Sequence, residues 1–323
     1  MKLIRGYHHL TKTLKNAVVT IGNFDGVHVG HRKIIDLTLK KARERGGEAV
    51  AYTFRPHPQV ALRPDTELQL LSTYDEKVEL LQSSGLDLVI EEPFSREFST
   101  TSPERFFEDI LVRRLNAVEI VVGYDFSFGK GREGHLEALE AFCKRDGIGL
   151  TVVPPQRVEG EVVSSSCIRQ HLLSGDVEAA ARLLGRPFSY RGVVVKGEQR
   201  GRKLGFPTAN LKLENKLALP FGVYATVATV AGAAAEVFYP SVTNVGVRPT
   251  FKDAEGKELP ALVETHLLDM TIDLYGSTLE VRFMKRLREE RRFSGADFMD
   301  QLKAQIQIDA DQAREFLKSQ SKH

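Results

Sequence analysis

The strongest constraint on the fold is a change of hydrophobic pattern partway along the 323-residue chain. Up to about residue 153, short β-branched runs at 17–21, 48–54, 86–90, 119–122 and 150–153 alternate with other segments at 32–45, 74–84, 103–115 and 135–145, where apolar residues recur at helical spacing. Strands joined by helix-length crossovers pair in parallel, because the crossover returns the chain to the same sheet edge. The βαβαβαβαβ order therefore predicts a doubly wound parallel α/β sheet with ligands at the carboxyl ends of its strands. A helix over 168–184 follows, stopped by Gly185-Arg186-Pro187. Beyond it come strands without long helices between them, at 192–195, 223–230, 236–242, 261–268 and 278–284, then one amphipathic helix at 296–318. Turn-punctuated strands of this kind suit a small closed barrel.

A single domain usually takes about 100 to 200 residues, so the length predicts two, and the pattern change places them at 1–185 and 186–323. With 42% hydrophobic and 27% charged residues, each has enough apolar material for its own core, and disorder is excluded. A net charge of +2 is too small for a nucleic-acid coat, although Lys285, Arg286, Arg288, Arg291 and Arg292 form a local basic cluster suited to phosphate. Cys143 and Cys167 have neither CxxC nor metal-type spacing, which argues against a disulfide scaffold or zinc site and fits a reducing cytosol. No apolar run reaches membrane-spanning length, so the expectation is a cytoplasmic protein with neither membrane nor nucleic acid as a partner.

Thr20-Ile21-Gly22-Asn23-Phe24-Asp25-Gly26-Val27-His28-Val29-Gly30-His31 joins the first predicted strand to the first helix. Small residues there let a phosphate approach the backbone, and a helix N-terminus attracts it. His28 and His31 can aim imidazole N–H groups at one phosphate and stabilise charge developing on it, although a histidine-capped helix start is the plainer use of the same pair. Val163-Ser164-Ser165-Ser166-Cys167-Ile168-Arg169 sits at a second strand-to-helix passage and offers hydroxyls, backbone N–H groups and a guanidinium to a polyphosphate. Three serines equally suit a solvated turn or cap. The first strand is not followed by GxGxxG, and the segment from Gly123 to Lys130 lacks the Ser or Thr of a P-loop, which disfavours dehydrogenase and P-loop readings.

The HxGH and SSxxIR-type segments together resemble the nucleotidyltransferase superfamily. TIGNFDGVHVGH, followed by Phe54-Arg55-Pro56-His57-Pro58, by Val122-Gly123-Tyr124-Asp125-Phe126-Ser127-Phe128-Gly129, and then by Arg132 and Gly134, is similar to the FMN adenylyltransferase module of bacterial riboflavin kinase/FAD synthetases. The resemblance implies that Gly22, Phe24, His28, His31, Ser165, Ser166 and Arg169 hold ATP, with His28, His31 and Arg169 serving catalysis, while Phe54, Pro56, His57, Asp125 and Phe126 border the flavin. The family usually has Ile and Thr where this chain has Val163 and Ser166. Phe126 and Phe128 alternate onto one face, so shared burial in the core is the alternative to flavin contact. Adenylyl transfer so read needs no general base, because the FMN phosphate is largely a dianion near neutral pH, its second pKa being about 6. Donors that spread charge over the α-phosphate and departing pyrophosphate, with Mg2+, suffice.

In the second part, Gly192-Val193-Val194-Val195-Lys196-Gly197 leads into Gly201-Arg202-Lys203-Leu204-Gly205-Phe206-Pro207-Thr208-Ala209-Asn210, a glycine-rich basic loop whose backbone donors can cradle phosphates. Thr208 and Asn210 present neutral oxygens two residues apart, as a hard magnesium ion prefers; an isolated Pro-Thr-Ala-Asn reads as a turn. With Gly222-Val223-Tyr224, Asn244-Val245-Gly246-Val247-Arg248-Pro249-Thr250-Phe251, Val263-Glu264-Thr265-His266 and Leu287-Arg288-Glu289, the order resembles riboflavin kinase, a six-stranded antiparallel barrel. That resemblance implies ATP at Gly197 and Thr208, Mg2+ at Thr208 and Asn210, flavin at Glu264 and Arg288, and catalytic roles for Asn210 and Glu264. The nucleophile would be the ribityl 5′-hydroxyl, whose proton must leave, and a positioned carboxylate contributes about 10²- to 10⁴-fold. Glu264 also fits an ordinary surface strand, and Arg288 a solvated basic face.

The expectation is thus a Rossmann-like nucleotidyltransferase domain followed by a riboflavin kinase-like six-stranded β-barrel with a C-terminal helix, taking ATP, riboflavin and FMN as substrates and making FAD. Two alternatives are a monofunctional FMN adenylyltransferase with a flavin-binding barrel and an RNA-binding regulatory protein, the latter marked by salt-sensitive binding without flavin turnover. Oligomeric state is left open.

Overall fold

A computed structural model describes residues 2–63, 65, 68–197, 201, 204–213, 219–232, 237–246, 262–270, 272–291, 293–295 and 297–320. Arg202, Lys203, residues 247–251 and Arg292, singled out above, lie outside the described residues, as do positions 236, 261 and 296 at the ends of expected elements. The chain divides into two units, Met1–Ser165 and Ser166–His323.

The first unit is built on six parallel strands, β1 (Lys2–Arg5), β2 (Ala17–Ile21), β3 (Ala49–Arg55), β4 (Leu88–Pro93), β5 (Ala117–Gly123) and β6 (Gly149–Val153), in the spatial order β1-β4-β3-β2-β5-β6. Its helices are α1 (Val29–Arg45), α2 (Pro58–Leu62), α3 (Tyr74–Ser83), α4 (Pro103–Arg105, running on as a π-helix over Phe106–Arg114) and α5 (Leu136–Asp146). A small hairpin of β7 (Arg157–Val158) and β8 (Glu161–Val162) follows. All five residues of β2 are buried, which explains why its sequence is a continuous apolar run. Val19, Ile21, Tyr52 and Ile120 enter the core on one side of the sheet, and Val18, Ala51, Val89 and Val121 that on the other. The chain proceeds from β2 to β3 on one side and returns to β5 on the other, so the carboxyl ends of β2 and β5 flank the point where strand order reverses. Strand β1 had no sequence signal, because only Ile4 of its four residues is buried at the sheet edge.

The helix expected over 168–184 is two helices, α6 (Ser165–Ser174) and α7 (Val177–Leu184). Gly175 ends the first at φ +85°, a conformation glycine adopts freely, and the Asp176 carboxylate caps the second by accepting from the Ala179 N–H at 2.9 Å. The barrel comprises β9 (Phe188–Val195), β10 (Ala209–Leu213), β11 (Gly222–Val230), β12 (Tyr239–Gly246), β13 (Leu262–Leu267) and β14 (Thr278–Glu289), closed in the order β10-β13-β12-β11-β14-β9 with every pair antiparallel. Strand β10 was not anticipated: Ala-Asn-Leu-Lys-Leu carries no β-branched residue to mark it. Tyr190, Tyr224 and Phe283 meet edge to face inside, with centroids 5.1 and 5.3 Å apart. Their hydroxyls are satisfied, Tyr190 accepting from Leu219 N and Tyr224 donating to Pro220 O, each at 2.7 Å.

Helix α8 (Phe298–Gln320) sets Ala310 and Ala313 against Val223, Ala225 and Val242 on the outside of the barrel. It is also fastened by charge. Arg288 on β14 grips the buried Asp309 carboxylate through two hydrogen bonds of 2.8 and 2.7 Å, and Gln305 donates a third at 3.0 Å. Removing one member of such a pair strands the other away from water. Asp309→Ala is therefore expected to lower the stability of the second unit by about 3 kcal/mol, read from urea unfolding; a loss below about 0.5 kcal/mol would class the pair with surface ion pairs.

Candidate active sites

At the crevice of the first unit, the loop after β2 carries Phe24, Gly26 and Val27 at φ +51°, +77° and +39°. Left-handed backbone is costly for a β-branched residue such as Val27, and strain of this kind persists only where the surroundings hold it. Those surroundings are visible. The Phe24 ring is buried in the core, and the buried Asp25 accepts from Leu71 N at 2.9 Å and Ser72 N at 3.3 Å. Gly26 N donates to Ser72 Oγ at 3.2 Å, and Ser165 Oγ donates to Asp25 O at 3.1 Å.

His28 caps α1. Its Nδ1 accepts from His31 N at 3.3 Å, which leaves the proton of a neutral ring on Nε2 as a donor. The two imidazoles stack with centroids 3.6 Å apart and planes within 14°, and the edge of Phe24 meets His31 at 5.3 Å. Gly30 leaves room for this stacking, since a Cβ there would sit 3.2 Å from both Cε1 and Nδ1 of His28, a tight contact that the ring would have to yield to. Gly22 has a comparable role, because its Cβ would lie 3.2 Å from the Phe24 ring. His31 Nδ1 is buried without a hydrogen-bond partner among the described residues. Burial holds the His31 pKa well below 6.5, reinforced by His28 and by the Lys77 cation. The arrangement is a neutral His31 ring stacked on the capping His28 at a helix N-terminus, able to receive negative charge.

The other first-unit residues sit at neighbouring strand ends. Phe54, at the end of β3, is half-buried among Tyr52, Phe94 and Phe98. Pro56 follows a cis peptide bond, and His57 caps α2 by accepting from Gln59 N at 3.2 Å while its own N–H donates to Tyr74 OH at 2.9 Å. Asp125 is exposed just beyond β5, and Phe126 is half-buried, stacked on Phe128 at 5.4 Å and packed against the core. Ser165 reaches the strained loop, whereas Ser166 is exposed and Arg169 half-buried farther along α6, in the second unit.

In the barrel, register brings the sequence-predicted residues together. Asn210 on β10 pairs directly with Glu264 on β13, which pairs in turn with Asn244 on β12. These three face the side of the wall opposite to Thr243 and Thr265, whose hydroxyls share an inward hydrogen bond of 3.0 Å. Asn210 is buried, and Gly197 lies over it so closely that a Cβ would come within 2.4 Å of its side-chain nitrogen. Beside Asn210 a cavity of about 220 Å³ is lined by Thr208, Asn210, Thr265, Leu267, Met270 and Tyr275, among others. Arg288 is committed to Asp309, as described above. Two residues given no role beforehand anchor these sites. His266 Nδ1 bonds to the Pro207 carbonyl at 2.8 Å and so holds the loop before Thr208, and Lys77 is buried behind the strained loop. His266 entered the sequence reading only as the last residue of the Val263–His266 segment, and a lysine in a charged helix turn such as Lys77 is unremarkable by pattern.

His31 is expected to titrate well below 6.5, observable in the ring nitrogens by NMR. The unfolded imidazole takes its proton first as pH falls, so this group withdraws stability from 6.5 downward until the folded ring itself charges. Titration close to 6.5 would contradict the burial described.

A family model described as FAD synthetase matches residues 10–167, and one described as riboflavin kinase matches residues 184–317. The bifunctional riboflavin kinase/FMN adenylyltransferase of Escherichia coli (strain K12) is 38% identical over 317 residues, covering 98% of both chains. Its counterpart from Bacillus subtilis (strain 168) is 36% identical over 310 residues, covering 95% of this chain and 94% of that one. A crystal structure described as a macrolide-efflux protein from Streptococcus pneumoniae matches with a TM-score of 0.84 at 30% identity, over 97% of this chain and 99% of that one. Among the described residues no helix is long and apolar enough to cross a membrane. A parallel-sheet unit and a closed barrel in tandem, matched end to end by relatives of both kinds of module, place this chain in the bifunctional riboflavin kinase/FMN adenylyltransferase family.

Proposed function

We propose that the chain makes FAD from riboflavin in two ATP-dependent steps, phosphorylation to FMN in the barrel and adenylylation of FMN in the parallel-sheet module. The observation that carries this reading is the presence of two separate polar sites, the stacked His28–His31 pair at one strand-order reversal and the paired Asn210 and Glu264 on the barrel wall. The boundary between the modules is taken at residues 185 and 186, at the start of the matched riboflavin kinase segment, which begins at residue 184.

In the first module the FMN phosphate oxygen attacks the α-phosphorus of ATP, and the bond to the pyrophosphate oxygen breaks. The nucleophile is already anionic, so the chain supplies charge stabilisation and alignment. His28 and His31 serve the phosphates as donors, together with the backbone around Gly22 and the hydroxyls of Ser165 and Ser166, and Arg169 meets the departing pyrophosphate. Phe24, buried beneath the histidines, acts on ATP through its backbone and by supporting His31. Phe54, Pro56, His57, Asp125 and Phe126 form the flavin side.

In the barrel the ribityl 5′-oxygen attacks the γ-phosphorus, the bond to the ADP oxygen breaks, and the hydroxyl proton passes to the Glu264 carboxylate. Gly197 and Thr208 receive the nucleotide, and Arg288, braced by Asp309, borders the flavin. Thr208 and Asn210 fit a magnesium ion: both offer neutral oxygens, and the tight approach of Gly197 fixes the buried Asn210 amide. Bound there, the ion would neutralise charge on the nucleotide phosphates. The protein is read as cytoplasmic, with small molecules as its partners.

Two variants separate the reactions. His28→Ala should lower FMN adenylylation by about 10²- to 10³-fold and leave riboflavin phosphorylation intact, so that FMN accumulates. Glu264→Ala should lower FMN formation by about 10²- to 10⁴-fold while sparing adenylylation of added FMN. Chromatographic resolution of riboflavin, FMN and FAD over time reads both, and equal loss of both reactions in either variant contradicts the division of labour.

A further inference from the structure

The geometry points to Lys77 as a positioning residue of the adenylyl-transfer site, one that holds the nucleotide-side and flavin-side loops at a fixed separation; this rests on the function proposed above. Lys77 is on α3, whose inward face otherwise buries Val78 and Leu81, and only 4% of it is exposed. A buried ammonium is costly unless well bonded, and a lysine here would be replaced by an apolar residue if packing were its only task.

Its partners give the reason for the charge. Lys77 Nζ donates to the Phe54 carbonyl at 2.8 Å and to Thr53 Oγ1 at 3.1 Å, and Thr53 Oγ1 donates in turn to the Asn23 carbonyl at 3.3 Å. One cation thus ties the end of β3, immediately before Arg55-Pro56-His57, to the loop after β2, immediately before Phe24-Asp25-Gly26. The segment leading into α3 repeats the link. Leu71 and Ser72 bind Asp25 and Gly26 on the nucleotide side, while Tyr74 OH accepts from His57 N on the flavin side. Glu91 and Asp25 lie close enough to support the cation, against Arg55, and burial lowers its pKa to about 8.

In-line attack needs the FMN oxygen and the α-phosphorus at near-contact distance, and a displacement of about 1 Å can cost roughly 10²-fold in rate. A residue that sets the spacing of the two loops should therefore act on kcat more than on the binding of either substrate. Lys77→Met keeps the stem and removes the charge. It is expected to lower kcat for FMN adenylylation by roughly 10²-fold, with the KM values for ATP and FMN changed by less than about threefold and riboflavin phosphorylation by the same chain unchanged. Lys77→Arg should restore a substantial part of the loss, because it returns charge and donors. Thr53→Val, nearly isosteric, should give a smaller loss of the same kind by cutting the link to Asn23.

His31 provides a readout independent of turnover. Lys77 helps depress its pKa, so Lys77→Met should raise it. Wild-type kcat in Lys77→Met, a loss carried by KM, or an unmoved His31 titration would each overturn the assignment. If the unaltered chain converts no FMN to FAD, the proposed function fails instead, and the His31 shift still decides whether the Lys77 charge reaches the nucleotide loop.

Discussion

The first site depends on one local packing arrangement, the fold-back of His28 over the opening turn of α1. Its Nδ1 accepts the His31 N–H, the two rings stack, and Gly30 leaves the space they need. That arrangement satisfies a helix-terminal donor that would otherwise seek water. It also directs two imidazoles toward the point where strand order reverses. The strained residues before it, Phe24 and Val27, are held by the core beneath and by hydrogen bonds through Asp25 and Gly26. Position, protonation state and backbone shape at this end of the sheet are therefore parts of one structure.

The barrel solves a similar problem by register. Antiparallel pairing puts Asn210, Glu264 and Asn244 side by side across three strands, with no loop required to bring them together. Closure leaves the strands without free edges, and Tyr190, Tyr224 and Phe283, on β9, β11 and β14, pack edge to face in the interior. Slipping one strand by a residue would turn its member of the polar row to the inner face and break up the hydroxyl pairing of Thr243 with Thr265.

Much of the architecture was legible from pattern. The buried strands β2 to β5 appear as β-branched or aliphatic runs because both faces are covered, and the change to strands without helices marks the barrel. What pattern missed has physical reasons. The edge strand β1 buries only Ile4, β10 has no β-branched residue, and the helix break at Gly175-Asp176 interrupts an otherwise continuous apolar stripe. Of the candidate site residues, order along the chain identified His28, His31, Asn210 and Glu264 as segments, and only the fold reveals that His28 touches His31 and that Asn210 pairs with Glu264. The anchors behind them were not legible. Lys77, His266 and Asp309 take their importance from partners 20 or more residues away, Thr53, Pro207 and Arg288, and no local spacing announces such contacts.

The central claim is that a negatively charged triphosphate is received by the stacked histidines at the β2 and β5 strand ends. A crystal structure of the chain with FMN and α,β-methylene ATP, which cannot transfer its adenylyl group, tests this most directly. The account predicts phosphate oxygens within hydrogen-bond distance of His28 and His31, above the N-terminus of α1. A triphosphate bound in the first unit but away from both imidazoles would contradict it.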